Sequence, residues 1–276
     1  MSTARFFATH SVFTTKEFLE HSGPEAKTGN PATQKSLLAY HRRAGHLLPV
    51  RRGLYAVIPV QTTTSPYPVD AYLISARLTE DAVLAYTTAL SYHGLAHSIH
   101  YTFFCLTRSA FVHPLRFQGT AFRAVPPPRA LSETDALTLG VEHSDWQGLS
   151  LRVTGLERTL VDALDRLTLC GGWEEVRNSL SGLDAYLDFD LLTRYVLLLE
   201  NATTAAKVGY FLTHHRERLR VPEATLAALR AHRTGAVRDV ERHQGHRTGE
   251  RTAYVPEWNL MIPKAGGDLD YEESAK

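Results

Sequence analysis

The order of helix starts and stops in the first 58 residues restricts this chain more than any other feature. Thr14-Thr-Lys-Glu17 is a capping box. The Thr14 hydroxyl accepts from the Glu17 amide, and the Glu17 carboxylate reaches back to the Thr14 amide. Phe13 before the cap and Phe18 beyond it are placed to close a hydrophobic staple. A short helix is therefore expected from Thr15 until Gly23-Pro24 stops it. A second opens with Asn30 as N-cap and Pro31 at its first position, and runs over Pro31–Ala44 to Gly45. A weaker helix is expected before both, over Thr3–His10. Leu47–Ile58 then reads as two β-prone runs around Arg51-Arg52-Gly53, where Gly53 suits the positive φ of a three-residue hairpin loop. Three helices and a hairpin with arginines at its tip is the order of a winged helix-turn-helix. Such a helix fits the DNA major groove, and the hairpin reaches flanking phosphates.

Advancing 100° per residue divides the Pro31–Ala44 helix into two faces. Gln34, Leu37, Leu38, His41 and Ala44 fall on the side that must meet the core. Ala32, Lys35, Ser36, Ala39 and Arg43 fall opposite, with Arg42 at the edge. Small residues let a helix lie deep in a groove, while Lys and Arg meet phosphates or guanine edges. These six residues, with Arg51 and Arg52, are the expected DNA contacts. His41 is expected to be packed rather than a ligand, and Tyr55 to be core.

The net charge of +1 conceals a segregation. Residues 1–58 carry +5, residues 59–204 carry −6, residues 205–255 carry +5 and residues 256–276 carry −3. A basic first module suits an anionic partner. The basic 205–255 stretch suggests a second nucleic-acid contact at Arg216, Arg218 and Arg220. Hydrophobic residues at 43% and charged residues at 21% match ordinary globular chains and exclude disordered, collagen-like and coiled-coil classes. No apolar run approaches the ~18–20 residues of a membrane span, so no membrane partner is expected. Two cysteines, Cys105 and Cys170, cannot frame a disulfide scaffold or a four-cysteine zinc site. A cytoplasmic, reduced setting is expected.

Thr62–Pro68, rich in Thr, Ser and Pro, marks a boundary. It separates a winged helix-turn-helix at 1–62 from a second domain at 63–276. Beyond it, helices are expected at Val69–Arg77, Thr87–Tyr92, Leu156–Leu167, Trp173–Leu180, Asp190–Leu199, Thr203–His214 and Glu223–His232. Strands are expected at Tyr101–Leu106, Phe117–Val125, Leu149–Val153 and Val255–Ile262, with a frayed tail from 265. The expected class is α+β: an N-terminal winged helix, then a larger mixed α/β domain with a helical C-terminal half.

No Walker loop, dinucleotide fingerprint, HExxH, GxSxG or CxxC occurs. His97/His100 and His243/His246 have metal-like spacing without a third ligand nearby, so no metal or other cofactor is expected. Asp188-Phe-Asp190 reads as a loop and helix cap, with Asp190 the N-cap. His214-His215 ends a helix, where the dipole favours a cation. No catalytic set emerges, and an enzyme is not expected.

Four stretches carry a family resemblance: 12–18 with 43–57, 72–78 with 86–95, 155–165 with 171–175, and 255–263. Together they resemble the AbiEi-like antitoxins of the AbiE abortive-infection (type IV toxin–antitoxin) systems. The resemblance implies a bacterial antitoxin and transcriptional autorepressor with a role in phage defence. It implies a winged helix on inverted-repeat promoter DNA. It also implies a larger domain that counteracts a co-encoded nucleotidyltransferase-like toxin without necessarily forming a stable complex. The turn at Pro24–Gly29 departs from a tight helix-turn-helix by being longer. Glu157 and Arg158 flank the apolar stripe Leu156, Leu160, Ala163 and Leu167 and are expected to pair. Two other readings fit the same residues: a regulator that senses a ligand or partner without a toxin, and an enzyme targeted by the winged helix.

Overall fold

The computed structural model describes residues 3–21, 31–59, 67–109, 113–133, 136–240 and 252–263, with backbone alone at 31–34. The chain divides into two compact units. One gathers Met1–Thr88, His100–Pro127 and Glu142–Val153, the other Ala89–Ile99, Pro128–Val141 and Thr154–Lys276. The first unit thus holds the winged helix together with a six-stranded sheet, whereas the sequence suggested a division at residue 62. The turn at Pro24–Gly29, Asn30, most of the Thr62–Pro68 stretch, His243, His246 and the C-terminal tail lie outside the described residues.

The first unit begins with α1 (Thr3–Thr9), β1 (Val12–Thr14), α2 (Thr15–His21), α3 (Pro31–Arg43), β2 (Leu47–Arg51) and β3 (Leu54–Val57). The capping box forms: the Thr14 N–H donates to Glu17 Oε2 at 2.6 Å, and the Glu17 N–H donates to Thr14 Oγ1 at 3.1 Å. The staple forms too, with the Phe13 and Phe18 rings 5.9 Å apart. Both rings join Phe6, Leu38 and Leu47 in a buried cluster, against which Phe7, Leu37, Tyr55 and Val57 pack. The three strands order as β1-β3-β2, all antiparallel. β1 was not expected, because its three residues double as the approach to the cap. The hairpin loop is Arg52-Gly53 alone, with Gly53 at φ +81° and Arg51 paired to Leu54. A register shift between Pro49 and Arg51 absorbs the extra residue, as suits a proline that has no N–H to give the ladder.

The chain continues through α4 (Ala71–Ala76), β4 (Val83–Leu84), α5 (Thr87–Tyr92), β5 (Thr102–Leu106), β6 (Leu115–Phe117) and β7 (Thr120–Val125). A later return adds β8 (Val141–Trp146) and β9 (Leu149–Thr154). These strands order as β6-β7-β5-β4-β9-β8 in a mixed sheet, with β5–β7 and β4–β9 parallel. Two hairpins turn on the same dipeptide. Gln118-Gly119 and Gln147-Gly148 have positive φ at both positions, the conformation of a type I′ turn. Gln is not among that turn's favoured residues, so Phe117–Val125 read as one strand where the chain in fact makes a hairpin. Asp70 caps α4, accepting from the Tyr72 N–H at 2.8 Å, and its other oxygen accepts from the Trp146 indole at 2.8 Å.

The second unit contains α6 (Arg129–Glu133), α7 (Leu156–Asp165), α8 (Trp173–Ser181), α9 (Phe189–Leu198), α10 (Ala202–His214), α11 (Arg216–Leu219) and α12 (Glu223–His232). A small sheet of β10 (Arg238–Asp239), β11 (Thr252–Val255) and β12 (Leu260–Pro263) accompanies them. α7 packs on α8, α9 and α10, and α10 packs on α12. Glu157 and Arg158 each have another partner. Arg158, 1% exposed, reaches Asp162 at 3.4 Å and donates to the Leu137 and Leu139 carbonyls. Tyr195 donates to the other Asp162 oxygen at 2.5 Å. Burial pushes the Asp162 carboxyl up, while Arg158 and Tyr195 pull it back. Glu157 instead accepts from the Asp188 N–H, and Asp188 rather than Asp190 caps α9, accepting from the Leu191 N–H at 2.9 Å. The expected final strand at Val255–Ile262 is a hairpin of β11 and β12 that turns through Asn259 at φ +51°.

Candidate nucleic-acid interface

Among the described side chains, α3 divides mostly as its periodicity requires. Leu38 is buried at 4%, and Leu37 and His41 are half-buried. Lys35, Ser36, Arg42 and Arg43 are exposed, and Ala39 is half-buried. Ala32 lies in α3, with its side chain outside the described residues. Ala44, expected on the inner face, is exposed because the helix closes at Arg43 and the chain turns through Gly45 at φ +77°.

The outer surface of α3 also carries Tyr40, 62% exposed, which helical projection left unassigned. It stands four residues beyond Ser36 and three before Arg43, the spacings of helical neighbours. That spacing was the available signal. The exposed surface is therefore two arginines, a lysine, a serine and a phenol.

The two wing arginines differ. Arg52, in the loop, is exposed. Arg51 is half-buried, and its guanidinium donates to the Leu78 carbonyl. The tip is also fixed from behind, where the Thr15 N–H donates to the Gly53 carbonyl at 2.8 Å. Around it, Lys16 pairs with Glu80 at 2.7 Å, and Arg77 Nε lies 3.3 Å from Glu17. Burial pulls the Arg77 guanidinium below its ordinary value, and Glu17 opposes this. Sequence reasoning had no means to pair Arg51 with a carbonyl 27 residues away.

In the second unit, Arg216 pairs with Glu223 at 3.1 Å and Arg218 donates to the Ser181 carbonyl. Arg220 is exposed in a left-handed conformation, φ 55°. Two of these three arginines thus have partners within the chain. Cys105 and Cys170 are both buried, and burial raises both thiols, Cys105 to about 12. Among the described residues, no three metal-ligating side chains converge, and no helix is long and apolar enough to cross a membrane. The His97 N–H donates to Ser179 Oγ at 3.0 Å.

The helix, wing and aromatic core of the N-terminal segment agree with comparison by sequence. Residues 2–58 match the family of AbiEi antitoxin transcriptional regulators. The AbiEi-type segment therefore ends where β3 ends, and its family description is of a regulator and antitoxin, not of an enzyme. No curated protein matches the chain. The fold beyond the AbiEi-type segment has a counterpart in the crystal structure of the RV2827C protein from Mycobacterium tuberculosis. That structure aligns with a TM-score of 0.57 and 21% identity over 94% of this chain and 89% of the other.

Proposed function

We propose that this chain is the antitoxin and transcriptional autorepressor of a bacterial toxin–antitoxin operon active in abortive phage infection. In this reading it works in the cytoplasm, and α3 enters the major groove of inverted-repeat promoter DNA. Lys35, Ser36, Arg42 and Arg43, with Ala32 and Ala39 between them, meet bases and phosphates. Arg52 follows the backbone from the wing, with Arg51 behind it. Residues 63–276 counteract a co-encoded nucleotidyltransferase-like toxin, and Arg220 is the member of the 216–220 group open to a second phosphate contact. One observation carries the reading: the exposed cationic surface of α3 in a segment that matches AbiEi antitoxin regulators.

The test separates the two activities in the full chain. Lys35→Ala with Arg43→Ala should weaken operator binding in a gel-shift titration at fixed salt. The same variant, expressed from a foreign promoter beside the toxin, should still restore growth, because that promoter removes autorepression from the result. Unchanged operator affinity would end the assignment of α3. Loss of rescue with a normally folded chain would place antitoxicity on the winged helix instead.

A further inference from the structure

The last turn of α3 and the turn that leads into β2 hold a pair of histidines that the DNA reading does not use. His46 donates its N–H to the His41 carbonyl at 2.9 Å, and Gly45 between them takes φ +77°. The two backbones are thereby fixed around a tight turn. Their rings meet at Nδ1, with the nitrogens 3.2 Å apart. Such a pair has two uses. In one, a single Nδ1 carries a proton and the other accepts it. In the other, both lone pairs point at one cation. Imidazole nitrogens about 2.0–2.1 Å from a tetrahedral Zn2+ stand roughly 3.3–3.4 Å from each other, so the observed separation is already close to that of two ligands on one ion.

Two further features favour the ion. Both rings border one cavity of about 520 Å³, which is otherwise lined mainly by apolar residues, among them Phe7, Val57, Ile58 and Pro59. That cavity gives room for the water molecules that a two-ligand ion must keep. The Phe7 ring stands edge-on to His41 at 4.9 Å and Tyr40 stands edge-on at 5.2 Å, which fixes the imidazole plane.

We propose that His41 and His46 form a two-imidazole site for Zn2+, joining the end of α3 to the start of β2. Among the described residues no third protein ligand completes it, so water fills the remaining positions. An ion there ties the groove-facing helix to the wing across their connecting turn, whatever DNA the module reads.

The experiment uses the full chain, free of any tag and stripped of metal, titrated with zinc chloride at neutral pH by calorimetry and by thermal melting. One site of micromolar affinity is expected, with a rise in the melting midpoint. His41→Gln and His46→Asn should each weaken it by about tenfold or more and remove the rise. His97→Asn with His100→Asn should leave both readouts unchanged. Zinc binding of equal affinity in His46→Asn, or a parent chain that shows neither heat nor a shifted midpoint, would overturn the proposal and leave a hydrogen-bonded pair. If His46→Asn fails to fold by circular dichroism, His41→Gln decides alone, and Co2+ bound by the parent should then show four-coordinate visible bands that His41→Gln lacks.

Discussion

Arg51 and Arg52 are neighbours of the same chemistry, and the structure gives them different work. Arg52 extends into solvent at the tip of the wing, while Arg51 spends at least one donor on the Leu78 carbonyl. A phosphate contact adds about 0.9 to the slope of log K against log salt. Arg52→Ala should therefore flatten that slope by about one unit and weaken all duplex sequences alike. Arg51→Ala should change the slope less, and should lower the melting midpoint because it releases the wing tip from residue 78. Titrations at four or more salt concentrations, read beside thermal melts, distinguish the two. Equal slope changes in both variants would mean that Arg51 leaves Leu78 when DNA binds.

At the scale of elements, the packing of α10 against the β11–β12 hairpin turns on one glycine. Trp258 is fully buried, and its indole N–H donates to Thr213 Oγ1 at 3.2 Å. A Cβ built on Gly209 would lie 2.1 Å from the Trp258 ring, so this position in the middle of α10 admits no side chain. Alanine is the better helix former by roughly 1 kcal/mol, yet Gly209→Ala should destabilise the chain by about 1–3 kcal/mol, since overpacking outweighs propensity here. Urea unfolding monitored by Trp fluorescence measures this. A Gly209→Ala chain as stable as the parent would show that the hairpin yields without cost.

Across the whole molecule, partly buried histidines set an acid limit. His215 is held down to about 4 by burial first, then by Arg218 and His214, and its ring lies 4.6 Å from Phe211. His10 is lowered too, mainly by burial. The end of α10 therefore favours a neutral His215, against the helix-dipole expectation of a cation. Because the folded values lie below the ordinary 6.5, the unfolded chain binds more protons between them. Stability is then complete above about 6.5 and falls as pH drops from 6.5 towards 4. The melting midpoint should decline over that window with chelator present, and His215→Gln should decline less steeply. Parallel curves for the two chains would remove His215 as a cause.

The sequence by itself determined the winged helix, because the signals there are local. A capping box, a proline at a helix start and a glycine at a hairpin tip act on residues within four positions of themselves, and α2, α3, β2 and β3 follow from them. Apolar periodicity likewise set the inner face of α3 and the course of α7. Tertiary structure decided what depends on distant partners. The six-stranded order includes β8, whose polar Glu142, His143, Ser144 and Asp145 carry no apolar alternation and become a strand by continuing from the Gln147-Gly148 turn beside β9. Arg158 meets Asp162 and two main-chain carbonyls, because a buried guanidinium needs acceptors and the folded interior brings a carboxylate and those carbonyls together there. The same holds for the binding surface. Exposure of Lys35, Arg42 and Arg43 was legible from helical phase, whereas the anchoring of Arg51 to Leu78 and the meeting of His41 with His46 were fixed only when the chain closed on itself.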